Sequence, residues 1–479
     1  MRRLTGKRLV KGADGKYIKN YHEQLFNNQR RFFVEHTDIF KNVARSYEDY
    51  FHEYKGSEEE AREHYNDPHQ KRLLRLKAWK ELNDANQQSD DTDPWVKSVL
   101  WKLKKDEWAK PGKKPRMIGD LGVGASLRGF RVTNSLKVAQ ESEPVYVNGG
   151  EMYFCKSPDP VIMEQVFKKL IDPPGRFYFV YFSDDSCLSI RRKDGGVDFY
   201  NLDISSCDAS HGPAIFQQLV DLVPPTVRPD MQMLVDQCQL PLRVVSRVDP
   251  SVKLLLKPNR PMLYSGSTIT TGINNIANLA IGIAISECDY TSPDDIRLAA
   301  ERAGYIVSGC KPLQHPEDLQ FLKHSPVLDS NNCYKPMLNL GVLLRASGVC
   351  RGDLPGRGPF SIRARDFQAA LLNGAYPQAD FEVLQLMKGV VKGSKKIEIP
   401  HLFEYKVEVN DNFQPFFAQR DSIMRRYRLS DLEYAEVIEF AKSGFEQFSN
   451  SVGLSKILDL DYGLECCEDD GVVKYNGRD

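Results

Sequence analysis

The chain has 479 residues, 41% hydrophobic and 27% charged, which suits two or three folded domains with a large buried core. Lysines plus arginines balance aspartates plus glutamates at 65 each, so no overall positive charge marks the chain for nucleic acid, and such a partner must be held by locally clustered charge. No apolar run reaches the roughly 18 residues of a transmembrane segment, the Arg-rich start has no apolar core of a signal peptide, and the ten cysteines, whose only close pair is Cys466 and Cys467, suit neither a disulfide ladder nor a CxxC-type zinc site.

A reducing, cytosolic setting and, at most, peripheral or borrowed membrane attachment are the expectations. Residues 1–31 hold nine Lys or Arg (Arg2, Arg3, Lys7, Arg8, Lys11, Lys16, Lys19, Arg30, Arg31) against Asp14 and Glu23, whereas Glu465, Glu468, Asp469 and Asp470 make the far end acidic. Both arms are compatible with binding partners of opposite charge or with disorder. Residues 21–110 read as mainly helical: Ser57 with Glu60 forms a capping box, and Leu73, Leu76 and Trp79 follow Pro68 in a charged segment. From Lys110 to Arg131 the text is Gly-rich and basic, which predicts extended chain and loop and offers the first candidate phosphate contact.

Pro173, Pro174 and Gly175 break the chain before FYFVYF (177–182), which meets SDDS (183–186) and continues into CLSIRR (187–192). This predicts a hairpin with two acids at its tip. KDGG (193–196) supplies a second turn and VDFYNLDI (197–204) a third strand, together a compact antiparallel meander. A helix is expected from Pro213 to Pro224, residues 226–262 are mixed and Pro-punctuated, and 264–287 open as a Ser/Gly/Thr loop before a helix buried on most faces. DDIRLAAERAG follows as another helix, the text is Gly/Pro-broken from about 350 to Gly358, and 430–448 is an amphipathic helix. No internal repeat and no long low-complexity linker occur.

Two carboxylate pairs stand on neighbouring predicted strands: Asp184 and Asp185 at the hairpin tip, and Asp203 and Asp208 around the end of the third strand. If strands 187–192 and 197–204 pair across KDGG, Asp184 and Asp203 fall at the same edge of the sheet and could share hard divalent cations, which favour carboxylate oxygens. Taken singly, an acidic hairpin tip is a solvated turn and an Asp at a strand end is a cap. Apolar strands on both sides bury the hairpin up to its tip, so that the tip faces a cleft.

In combination these segments resemble the polymerase motifs of positive-strand RNA viruses. DISSCDASHG (203–212) is similar to motif A, which implies metal binding by Asp203 and ribose recognition by Asp208. SGSTITTGINN (265–275) is similar to motif B, with Ser265, Gly266, Thr270 and Asn274 in register. FSDDS resembles motif C, the Gly-Asp-Asp hairpin, with Ser183 in the glycine position. Here C precedes A, the C-A-B order of permutotetraviruses and birnaviruses, whereas most such polymerases run A, B, C. The rival acidic pair after motif B, Asp294 and Asp295, follows Thr291 and Ser292 and opens a helix, so its acids read as capping and dipole partners. KKPRMIG (113–119) resembles motif F, which implies that Arg116, supported by Lys113 and Lys114, guides the incoming triphosphate; its plain alternative is a solvated basic loop. AERAGYIVSGCK (300–311) resembles motif D, with Lys311 a general acid toward pyrophosphate or a surface lysine. FLKHS (321–325) resembles motif E, with Lys323 a contact to primer phosphate. Asp208 with Asn274 is the expected 2′-hydroxyl-sensing pair.

The resemblance covers roughly residues 110–345 and implies an α+β right-hand fold with an antiparallel palm sheet and largely helical fingers and thumb. Residues 1–176 would form the amino-terminal arm and fingers, 177–345 the palm with a fingers insertion at 213–262, and 346–479 the thumb and tail. It implies RNA-directed RNA synthesis with two Mg²⁺ or Mn²⁺ ions, with Asp203 and Asp184 as main ligands and Asp185 assisting. The implied partners are template and nascent RNA, ribonucleoside triphosphates and other viral replication proteins. The implied place is the host cytoplasm, in replication complexes or virions. A reverse transcriptase shares this chemistry but lacks the ribose-sensing pattern. A noncatalytic RNA-binding scaffold with a decayed palm-like fold would need none of the four acids.

Overall fold

The computed structural model describes residues 21–55, 99–103, 117–121, 123–156, 158, 160–245, 251, 253–329, 331–342, 417–442 and 451–462. Their helices are α1 (Tyr21–Glu35), α2 (Thr37–Ser46), α3 (Val123–Ser142), α4 (Pro160–Ile171), α5 (Cys207–Ser210), α6 (Pro213–Asp221), α7 (Arg228–Gln237), α8 (Thr270–Ser286), α9 (Asp294–Arg302), α10 (Phe417–Tyr427), α11 (Asp431–Lys442) and α12 (Val452–Tyr462). Their strands are β1 (Val99–Leu103), β2 (Met117–Asp120), β3 (Val145–Val147), β4 (Gly150–Phe154), β5 (Phe177–Phe182), β6 (Asp185–Arg191), β7 (Val197–Ile204), β8 (Leu242–Val245), β9 (Lys253–Leu256), β10 (Val307–Ser308), β11 (His324–Leu328) and β12 (Tyr334–Leu338). The mixed α+β class expected from the sequence is what these elements make. Among the described residues no helix is long and apolar enough to cross a membrane. The chain divides into two compact units, Met1–Leu103 with Met117–Lys156 and Pro173–Pro312, and Lys104–Arg116 with Ser157–Asp172 and Leu313–Asp479.

The first unit is built on a six-stranded sheet in the order β10-β7-β6-β5-β4-β3. Its middle is the predicted meander: β5 pairs antiparallel with β6 from Phe177↔Ile190 to Phe182↔Asp185, and β6 with β7 from Asp185↔Asp203 to Arg191↔Val197. The second turn closes as KDGG predicts. Arg192 N–H donates to Gly196 O at 2.7 Å, Asp194 Oδ1 accepts the Gly196 N–H at 2.9 Å, and Gly195 takes φ +86°, where glycine carries no steric penalty. β5 reads as an unbroken apolar run because five of its six residues are buried, as befits a strand covered on both faces. The sheet is not wholly antiparallel: β4 runs parallel to β5 from Gly150↔Phe177 to Phe154↔Tyr181. Parallel neighbours need a long crossover, and the chain between them makes one.

α8 is the central helix of this unit. Every residue from Gly272 to Ser286 is buried, and the helix comes so close to the sheet that a Cβ at Gly282 would lie 2.3 Å from Met152 Sδ and 2.9 Å from Phe179 Cδ1. A smaller sheet, β2-β1-β8-β9, joins residues before position 121 to residues of the 213–262 segment.

Two local expectations fail here, each through long-range packing. Residues from 123 are helical, not loop. The glycines that suggested a loop include one that serves close approach, since a Cβ at Gly129 would meet Thr268 Oγ1 at 2.5 Å and Leu234 Cδ2 at 2.9 Å. Residues 99–103 form a strand inside a region read as helical, because β1 is held between β2 and β8. The segment read as mixed is so: it holds α7, whose Met231, Leu234 and Val235 are buried, and the strands β8 and β9. The Ser57–Glu60 capping box, Leu73, Leu76, Trp79, the basic residues before position 21 and the acidic tail lie outside the described residues.

In the second unit, β11 and β12 form an antiparallel ribbon, and Ser430 and Glu433 start α11 with a reciprocal cap, Ser430 N–H to Glu433 Oε2 at 2.8 Å and Glu433 N–H to Ser430 Oγ at 3.4 Å. Its polar centre is an ion pair, Arg426 Nη2 to Asp461 Oδ1 at 2.9 Å, with side chains 1% and 0% exposed. Arg426 also donates to Glu317 O at 3.0 Å, while Asp461 Oδ2 accepts from Tyr427 OH at 2.9 Å and Gly341 N–H at 2.8 Å. Removing one partner strands the other charge without water, so Asp461→Ala is expected to destabilise this unit by about 3–5 kcal/mol. Urea unfolding of wild type and variant measures this, and a loss under ~1 kcal/mol would mean the pair behaves as a surface one.

Candidate functional site

The site grows from a two-residue turn. β5 ends and β6 begins with Phe182 opposite Asp185, so Ser183 and Asp184 alone make the reversal. Asp184 is exposed and Asp185 half-buried. Ser183 sits at φ +55°, the left-handed region in which glycine is at home. Its N–H donates to Asn275 Oδ1 at 3.0 Å, its hydroxyl accepts from Asn274 Nδ2 at 3.0 Å, and its carbonyl accepts from Asn278 Nδ2 at 2.6 Å. All three asparagines are buried on α8.

The β6–β7 register brings Asp185 directly opposite Asp203, and on the other side of β7 Ser308 pairs with Asp203. Asp203 is exposed at the end of its strand. The chain then turns through Ser206 at φ +54° into α5, which carries Asp208. Burial pushes the Cys207 thiol well up, and the negative field of Asp208, Asp184 and Asp203 adds to it. Lys311 is exposed, three residues beyond Ser308. Between them, Gly309 at φ +80° passes so close to β7 that a Cβ would lie 1.9 Å from Asn201 O.

The Ser265–Thr270 loop reaches the same place from α8. Ser265 Oγ donates to Asp208 Oδ2, and Ser265 O accepts the Gly119 N–H at 2.8 Å. Gly266, at φ +106°, lies flat on β2, where a Cβ would come within 2.6 Å of Gly119 O. Thr270 Oγ1 donates to Ser267 O at 2.8 Å, which ties the loop to the first turn of the helix. Asn274 is 1% exposed. Its Oδ1 bonds His211 Nε2 at 2.8 Å, and its Nδ2 is the donor to Ser183.

Asp208 is bonded to Ser265, and Asn274 to Ser183 and His211. Sequence reasoning missed His211, Asn275, Asn278, Gln140 and Gln29. Gln29 of α1 secures the chain after α5, donating to Ser210 O at 2.8 Å and accepting the Gly212 N–H at 2.8 Å, and Gln140 Oε1 accepts from Asn275 Nδ2 at 2.8 Å. The one readable signal was the spacing of Asn274, Asn275 and Asn278 in an otherwise apolar helix, since buried amides need partners.

Other expected residues fall elsewhere. Asp295, in the first turn of α9, bonds back to the preceding loop, its Oδ2 accepting Thr291 N–H at 2.8 Å and Ser292 N–H at 2.9 Å, and these bonds hold its carboxyl below the usual range. The Asp294–Asp295 pair therefore opens a helix, as expected, and tips no hairpin. Lys323 lies in the second unit with its ammonium on Asp461 O, at the end of α12, where a cation meets the helix dipole. Lys113, Lys114 and Arg116 lie outside the described residues, immediately before β2.

Among the described residues no group of three His, Cys, Asp or Glu side chains is gathered to hold a metal ion unaided. The donor set still suits a hard cation. Mg²⁺ keeps several waters and is bound through one or two carboxylates with substrate phosphates, and Asp185 facing Asp203 sets like charges opposite each other, an unfavourable cross-strand pairing that a cation offsets.

Two solved structures are similar to this chain over most of its length. The birnavirus VP1–VP3 complex matches at 12% identity and TM-score 0.39, covering 82% of this chain and 56% of that one. The RNA polymerase VP1 from infectious pancreatic necrosis virus matches at 12% identity and TM-score 0.35, covering 83% and 53%. The chain thus spans about half the length of the structures it matches, and at these scores the likeness has no weight for function. No family model and no curated protein matches.

Burial pushes the His211 imidazole down to about 4, against an Asn274 bond that raises it. It is therefore neutral at pH 7, with Nε2–H donating to Asn274 and Nδ1 facing Tyr305 OH at 3.3 Å. Because the folded value lies below the unfolded one of about 6.5, the histidine contributes stability that is present above pH 6.5 and lost as pH falls through 4. The stability difference between wild type and His211→Gln should shrink by on the order of 3 kcal/mol across that window. A pH-independent difference in chemical denaturation would contradict a neutral His211.

Proposed function

We propose that this chain is a viral RNA-directed RNA polymerase whose palm motifs run in the order C, A, B, and that it replicates and transcribes a viral RNA genome. The reading rests chiefly on the register that sets the acid-tipped turn at 183–185 against Asp203, while the rival pair Asp294–Asp295 lies in the first turn of a helix. Permuting the strands changes only their connections, so the acids can keep their relative places.

The reaction is attack of a 3′-hydroxyl on the α-phosphate of a template-selected ribonucleoside triphosphate. Asp184 and Asp203 would hold two Mg²⁺ or Mn²⁺ ions, with Asp185 assisting; when bound, such ions activate the hydroxyl and stabilise the leaving oxygen. Asp208 is held by Ser265 through one oxygen and offers the other to the ribose 2′-hydroxyl, which is what distinguishes RNA from DNA precursors. Asn274, buried and already engaged, acts on the ribose side only through the groups it holds. Arg116 with Lys113 and Lys114 would meet the triphosphate, as the likeness of KKPRMIG to motif F implies. Lys311, exposed and three residues beyond Ser308, would supply the proton to pyrophosphate. The fingers, palm and thumb ranges, Lys323 as a primer contact, viral protein partners and a cytoplasmic replication complex or virion belong to the same proposal.

Primer extension on a homopolymeric RNA template with Mg²⁺ or Mn²⁺ tests it. Asp184→Ala and Asp203→Ala should each lower synthesis by roughly a hundredfold to a thousandfold or more, the scale of losing one electrostatic stabiliser of a transition state, and Asp294→Ala should retain it. Loss in Asp294→Ala with activity in Asp184→Ala would restore the usual motif order. A wild-type chain that binds RNA but extends no primer would favour the scaffold.

A further inference from the structure

Ser183 occupies a conformation, φ +55°, that an L-residue other than glycine adopts only at a steric cost. Two bonds fix its backbone from one rigid helix: the N–H to Asn275 Oδ1 at 3.0 Å and the carbonyl from Asn278 Nδ2 at 2.6 Å. The amides are themselves anchored. Asn275 Nδ2 donates to Gln140 Oε1 at 2.8 Å, and Asn278 Nδ2 also reaches Asn274 O at 3.2 Å. Buried side-chain amides in a helix that is otherwise apolar at these positions are costly unless paired, and the turn is what pairs them.

We propose that Asn275 and Asn278 are positioning residues that hold Ser183 left-handed and so set the direction in which Asp184 presents its carboxylate. They achieve by hydrogen bonding what a glycine at 183 would achieve by conformational freedom. The inference rests on Asp184 being a cation ligand, as in the function proposed above, and assigns a cause for its orientation.

A double-mutant cycle on the full chain separates this from a general packing role. Asn278→Ala should weaken Mn²⁺ binding, read from the paramagnetic resonance of free Mn²⁺, by about tenfold, the scale for residues supporting a metal ligand. In a Ser183→Gly chain the same substitution should weaken it by no more than about threefold, and Asn275→Ala should behave alike. Equal losses in both backgrounds, or no loss beside Ser183, would overturn the proposal. If Asn278→Ala alone fails to fold, the Ser183→Gly double variant must fold, and its failure overturns the proposal too. A wild-type chain that takes up no Mn²⁺ would instead defeat the metal chemistry of the function proposed above. The same cycle read in thermal midpoints then decides the clamp, with coupling for it and additivity against it.

Discussion

The register of β6 on β7 is the constraint on which the rest of this site depends. Side chains alternate across a strand, so a slip of one residue would send every side chain of β6 to the other face of the sheet. The Lys193–Gly196 turn sets that register, with Gly195 in a left-handed conformation and Asp194 bonding back to Gly196. It brings Asp185 level with Asp203. A partly buried side-chain contact repeats the same alignment two residues on, where Cys187 Sγ donates to Asn201 Oδ1 at 3.3 Å. β5 and β10 then flank the pair, and α8 lies against the sheet with its asparagines on the turn.

This arrangement concentrates cost where chemistry would take place. A serine is held at positive φ, two carboxylates face each other across strands, and Asp208 is tied by Ser265 in a third position close by. Natural folds place such local strain where function over-determines it. Around it the support is rigid: a neutral His211 deep in the unit, a fully buried helix, and glycines at 119, 266 and 282 that let backbone and side chain approach within a few ångströms.

Much of this was legible in the sequence because it is local. The apolar runs FYFVYF and VDFYNLDI, the SDDS and KDGG turns, Pro213 at the first position of α6 and the apolar run of α8 all act through nearest neighbours, and each forms where expected. Asp294 and Asp295 were readable as acids of a helix's first turn for the same reason. What escaped depends on contacts distant in the chain. Gly129 looks like a loop residue until Thr268 and Leu234 are seen against it, β1 is a strand only because β2 and β8 flank it, and the parallel joining of β4 to β5 leaves no mark in either segment. Ser183 was aligned with a glycine, but the asparagines that make the replacement tolerable lie about ninety residues away. The bond from Ser265 to Asp208 is equally non-local, because it depends on Gly266 letting the loop lie on β2.

The central claim is that the 183–185 turn and the end of β7 share a cation. Anomalous diffraction from crystals of the full chain soaked in Mn²⁺ tests it directly. The account predicts a peak contacted by Asp203 together with Asp184 or Asp185. A peak at Asp294 and Asp295 with none at the turn, or no ordered Mn²⁺ near Asp203 in the presence of a ribonucleoside triphosphate, would contradict it.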